Sequence, residues 1–121
     1  MKKHILIVDD EVAICDLLKE FLVSCDYRVS AVCSADEAQR VVRADPPQLI
    51  ISDLQLEDSD GLDMVKSLKA ILPEVPVILL TGIHFDPEVV RDTLSKTVTS
   101  YLQKTVTLER ILAEVRQLIG P

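Results

Sequence analysis

The sequence predicts an α/β domain with a doubly wound, five-stranded parallel sheet, and three observations carry that prediction. Apolar runs at residues 5–8, 49–52 and 75–80 are too short for helices and show no polar alternation, so both faces of each strand are covered. Stretches with apolar residues at 3.6-residue spacing lie between them and supply the covering helices. The two remaining strand candidates are the more polar ones, as befits the edges of a sheet.

Taken in order, ILIV at 5–8 is the first strand, ended by Asp9 and Asp10. From Glu11 the spacing changes, and Ile14, Leu17, Leu18, Phe21 and Leu22 fall on one side of a helix that runs to about Ser24. Residues 27–32 alternate, Tyr27, Val29 and Ala31 against Arg28 and Ser30, which is an edge-strand pattern. Ser34 with Glu37 three residues on forms a capping box for a second helix with Ala38, Val41 and Val42 inward. Pro46 and Pro47 stop it.

After the Leu49 strand, Leu62, Val65, Leu68 and Leu72 mark a third helix that ends before Pro73. Pro76 sits near the start of the fourth strand, where a missing ladder donor is tolerated. Asp86-Pro87, a cap and a first-turn proline, opens a fourth helix that stops near Lys96, before the β-branched residues 97–99. Residues 100–103 are the other edge strand, and Thr107 caps a last helix with Leu108, Ile111, Leu112, Val115, Leu118 and Ile119 on one stripe. Right-handed crossovers put helices on both faces, and interior first, third and fourth strands favour the order 2-1-3-4-5, the flavodoxin-like arrangement.

At 121 residues the chain is one domain, able to bury about 65% of its unfolded surface without a metal or disulfide staple. A formal charge of -7 and a pI of about 4.7 argue against direct nucleic-acid binding and leave cations and protein partners open. Cys15, Cys25 and Cys33 have the spacing of neither a thiolate metal site nor a redox pair, so a cytoplasmic location with the cysteines as small hydrophobes is expected. The amino terminus lacks the long apolar region of a secretion signal, and no apolar run is long enough to cross a bilayer.

The predicted strand order makes the first and third strands neighbours, so Asp9, Asp10 and Asp53 converge at carboxyl ends, where open sheets bind ligands. Two unit charges 4 Å apart repel by roughly 4 kcal/mol at an effective dielectric near 20. A hard divalent cation reverses that sign, and a site with few carboxylates and several waters suits Mg²⁺. Residues 53–63 have some acids of a calcium loop, but Asp58 stands where its glycine should be. Thr81 ends the fourth strand and Lys104 follows the fifth, so a hydroxyl and an ammonium reach the same rim, a set suited to a phosphoryl group.

With those residues in place, the sequence resembles the receiver domain of bacterial two-component response regulators. The resemblance covers essentially the whole chain, 1–121, and rests on ILIVDDE at 5–11, LIISDLQLEDSDGL at 49–62, ILLTG at 78–82 and SYLQK at 100–104. It implies that Asp53 accepts a phosphoryl group from a histidine kinase or phosphotransfer protein. Asp10 and Asp9 would be Mg²⁺ carboxylates, joined by Asp53 and the backbone carbonyl of Gln55, with Lys104 pairing the phosphate. Thr81 and Tyr101 match the switch pair acting on the surface of the fourth helix, last strand and last helix, through which a homodimer is also expected. Gln55 and Ile83 occupy the positions that tune phosphate loss, and apolar Ile83 is expected to slow it.

Glu57 and Thr105 stand where the family commonly has proline, and Thr97-Val98 where it commonly has Gly-Ala, departures that bear on the output surface more than on the chemistry. The chain stops at Pro121, where a linker would start, so a fragment of a longer transcription factor or enzyme is expected, with its output domain beyond these residues. Two other classes compete: a pseudo-receiver that binds protein without phosphorylation, and a flavodoxin-like redox protein. The second is disfavoured by the absence of Trp and by two acids where a phosphate loop would follow Val8.

Overall fold

Ile5, Leu6, Ile7 and Val8 are shielded from solvent on both sides, and together with His4 they form the inner strand β1 (His4–Val8). The computed structural model describes residues 2–53, 61–82 and 98–121. Within them follow α1 (Val12–Ser24), β2 (Arg28–Val32), α2 (Ala35–Ala44), β3 (Leu49–Ser52), α3 (Gly61–Ile71), β4 (Val77–Thr81), β5 (Ser100–Gln103) and α4 (Leu108–Ile119). The helix expected from Asp86 to near Lys96 falls outside the described residues, so the last helix is labelled α4 here.

All pairings are parallel and the order is β2-β1-β3-β4-β5, as the burial pattern predicts. Strand alternation divides the core into two layers. Ile5, Ile7, Leu49, Ile51, Ile78 and Leu80 pack with α1 and α4, while Leu6, Val8, Ile50, Val77 and Leu79 pack with α2 and α3. Each interior strand feeds both layers, which is why these strands read as unbroken apolar runs.

Helix ends follow local chemistry. The Ser34 hydroxyl accepts from Glu37 N at 3.2 Å and the Thr107 hydroxyl from Arg110 N at 3.1 Å, satisfying first-turn amides of α2 and α4. The carboxyl end of α4 is tied to the start of the chain: Lys3 Nζ donates to the Ile119 carbonyl, and the Tyr27 hydroxyl donates to the Gly120 carbonyl at 2.7 Å. Gly120 has φ of 80° and ψ of 177°, a positive-φ extended conformation open essentially to glycine.

Several sequence expectations shift, among them the start of the second strand, which is Arg28 rather than Tyr27. The buried stripe of α1 is Cys15, Leu18 and Leu22, whereas Leu17 is 50% exposed. One residue from Leu18 is a 100° rotation, enough to carry Leu17 off the face toward the sheet. β1 begins one residue earlier than the apolar run, at His4, and β4 begins at Val77 rather than Val75, after the proline that has no amide to donate. No helix among the described residues is long and apolar enough to cross a membrane.

Candidate functional site

The pairing of β1 with β3 places Val8 opposite Ser52, so the chain leaves the sheet side by side at Asp9 and Asp53. Backbone bonds hold both exits: Asp53 N donates to Val8 O at 3.0 Å and Asp9 N to Val32 O at 3.1 Å. Ser52 Oγ donates to the Asp53 carbonyl at 2.9 Å, and the buried Cys15 thiol donates to the Asp9 carbonyl at 3.2 Å. Asp9 and Asp53 are buried, Asp10 is exposed, and carboxylate oxygens of all three lie within 4.8 Å of one another.

Lys104, just beyond β5, enters this acidic pocket. Its Nζ lies 3.0 Å from Asp9 Oδ2, 3.1 Å from Asp53 Oδ2 and 2.6 Å from Glu11 Oε1. Burial disfavours the ammonium, but hydrogen bonds to Glu11, Asp9 and Asp53 outweigh it and raise the lysine pKa, so Lys104 is charged throughout the physiological range. Asp9 moves up as well, because burial exceeds the help it receives from the Glu11 amide and Lys104. An acid whose pKa rises on folding costs stability once pH climbs through that raised value, so ionised Asp9 is a strain on the metal-free fold.

Asp9, Asp10, Asp53 and Lys104 thus come together at one rim of the sheet. Thr81 closes β4 in register with Gln103, one residue before Lys104, which places its backbone on the same rim. Tyr101 pairs in register with Leu79 and packs half-buried against the α2/α3 layer. Gln55 and Ile83 lie outside the described residues.

Sequence reasoning did not single out Glu11. It occupies the N-cap of α1 without a side-chain cap bond, and its carboxylate turns to Lys104 instead. The signal available was its place in the run Asp9-Asp10-Glu11, but its partner is 93 residues away in sequence.

The chemistry of the donor set fits a hard divalent cation. Buried carboxylates with one ammonium among them keep an excess of negative charge, and all their free atoms are oxygens. Comparison with known proteins agrees with this reading of the fold. The family described as response regulator receiver domain matches residues 5–116. The chain belongs to that family. This receiver is 31% identical over 114 residues to Regulatory protein VirG of Agrobacterium fabrum, which spans 94% of this chain and 45% of VirG. It is 30% identical to Transcriptional regulatory protein ZraR of Salmonella typhimurium, covering 96% of this chain and 28% of that protein. The receiver thus spans less than half the length of these curated relatives.

Solved structures agree on the receiver fold. A CheY-like response regulator receiver domain from Methanospirillum hungatei aligns with a TM-score of 0.88 at 26% identity, covering 97% of this chain and 93% of that one. NtrX from Brucella abortus aligns at 0.89 and 26% identity, covering 98% of this chain but 27% of NtrX.

Proposed function

We propose that this receiver accepts a phosphoryl group on Asp53 from a phosphohistidine of a sensor kinase or phosphotransfer protein. The observation that carries the reading is the Asp53 carboxylate held 3.1 Å from Lys104 Nζ in a pocket shared with Asp9 and Asp10. An Asp53 oxygen attacks phosphorus in line, the phosphorus–nitrogen bond breaks, and the electron pair returns to the donor imidazole. Lys104 balances the charge on the transferred group's oxygens, and the pocket's burial keeps that interaction strong. Glu11 is the most exposed of the three carboxylates on Lys104, at 58%, and is the one a phosphoryl oxygen displaces with least rearrangement.

Asp9, Asp10 and Asp53, with the Gln55 carbonyl, would hold Mg²⁺. When bound, the ion supplies positive charge to the phosphoryl oxygens and offsets the repulsion among the acids. After transfer, the added charge draws Lys104 and the Thr81 hydroxyl, and Tyr101 turns, altering the face made by β5, α4 and the helix expected from Asp86 to near Lys96. That face would then engage an output domain or a second copy of the chain. Water later cleaves the acyl phosphate, and Ile83 slows it by denying the water a polar anchor.

The deciding experiment treats the chain with a small acyl phosphate and Mg²⁺ and reads its mass. The expected result is a gain of one phosphoryl group, lost in Asp53→Asn. An unchanged mass for the folded native chain overturns the reading and leaves a phosphorylation-independent binding module. Ile83→Glu should then shorten the lifetime of the phosphate, and an equal or longer lifetime removes the role given to Ile83.

A further inference from the structure

A second group of ionisable side chains gathers at the opposite end of β1. His4 is 1% exposed, and its ring lies on the same side of the sheet as Leu6 and Val8, facing the end of α2. Its backbone is fixed on one side by Gln48, whose Oε1 accepts from His4 N at 2.5 Å and whose N donates to His4 O at 2.8 Å. The ring's Nε2 meets Ser30 Oγ at 2.8 Å. Nδ1 is buried and has no hydrogen-bond partner.

The nearest anion is Asp45, whose Oδ1 stands 3.8 Å from Nδ1, beyond hydrogen-bond reach. That same oxygen accepts from Arg28 Nη2 at 3.0 Å, while Oδ2 pairs with Nη1. One carboxylate oxygen is thus faced by two groups able to carry positive charge and is bonded to one of them. Nδ1 thus makes no close hydrogen bond, and the groups beside the ring are the Asp45 carboxylate and the backbone of Asp45 and Pro46.

We propose that His4 and Arg28 compete for Asp45 Oδ1, so that acidification transfers Asp45 from Arg28 to His4 and loosens the start of the edge strand β2. A proton on Nδ1 gives the ring both a donor and a charge, and the Asp45 carboxylate, 3.8 Å away, is the neighbouring acceptor that carries the opposite charge, whereas the Asp45 and Pro46 backbone is neutral. Arg28 is the register partner of His4 and the first residue of β2, so freeing its side chain removes a tie between that strand and the end of α2.

The charged groups acting on the ring are Arg28 from β2 and Asp45 from the end of α2; Ser30 and Gln48 are uncharged. Burial first, and then the Arg28 charge, hold the imidazole neutral and keep its pKa below the ordinary histidine value, against smaller opposing pulls from the Asp45 charge and from the Pro46 and Asp45 backbone. A pKa depressed on folding means that the neutral ring's contribution is complete above the unfolded value near 6.5 and is lost as pH falls through the lowered folded value. The exchange belongs to mildly acidic solution.

The test uses nuclear magnetic resonance on His84→Gln, which leaves His4 as the only imidazole in the chain. The His4 midpoint should lie below about 6.5, rise in Arg28→Gln and fall further in Asp45→Asn. Amide exchange at Val29 and Ser30, corrected for intrinsic pH dependence, should accelerate several-fold on acidification. In Asp45→Asn it should already be fast at neutral pH and change little. A midpoint at or above the ordinary value, identical midpoints in the two variants, or β2 exchange indifferent to acid would each overturn the proposal. Because none of these readouts involves Asp53, they stand or fall separately from phosphoryl transfer.

Discussion

At the carboxyl end of the sheet Lys104 serves Asp9, Glu11 and Asp53 at once, with Asp10 standing close by, whereas at the amino end Arg28 and Asp45 pair one to one beside a neutral His4. The first arrangement leaves surplus negative charge in a partly buried pocket. The second leaves none, and adds the bonds of Tyr27 and Lys3 to the last turn of α4. The same strands run between the two ends, so the difference lies in which residues follow and precede them. On the proposed function, the end where like charges are forced together is the reaction site, and the end where they are matched is a structural seam.

The largest effect should come from removing the ammonium. Lys104→Met strands Asp9 and Asp53 without their cation, and unfolding in urea without metal should show a loss of about 3 kcal/mol, the cost of breaking a buried ion pair from one side. Little loss would mean that the acids are already relaxed by water. Next, Mg²⁺ at about 100 times its dissociation constant should stabilise the native chain by roughly 2.7 kcal/mol, and Asp9→Asn should abolish that gain in a thermal melt. At the other end, Tyr27→Phe removes one hydrogen bond to Gly120 and should cost about 1 kcal/mol, by the same amount with or without Mg²⁺. A metal-dependent cost there would break the contrast between the ends. Smallest is Glu11→Gln, about 0.5 kcal/mol or less because the pair is half in water, and fading as salt is raised.

Much of this was legible in the sequence because strand interiors and strand exits obey simple rules. Residues 5–8 and 49–52 announce buried parallel strands by having no polar face, and the acids at 9, 10 and 53 announce a site by following such strands. The phase of α1 was harder, since adjacent Leu17 and Leu18 both fit a broad apolar stripe and only docking on the sheet shows which one turns inward. His4 reads as a polar residue ahead of a strand, yet Ser30 and the end of α2 cover it, a fact of tertiary packing. Glu11 on Lys104 is likewise a contact between distant segments, invisible to spacing.

The hydrogen bond from Lys3 to Ile119 joins residues 116 apart in sequence. The segment that leads into β1 and the segment that leaves α4 are therefore neighbours in space. A circular permutant of residues 2–121, joined across that seam by a short peptide and opened at another loop, would inherit the same strand order.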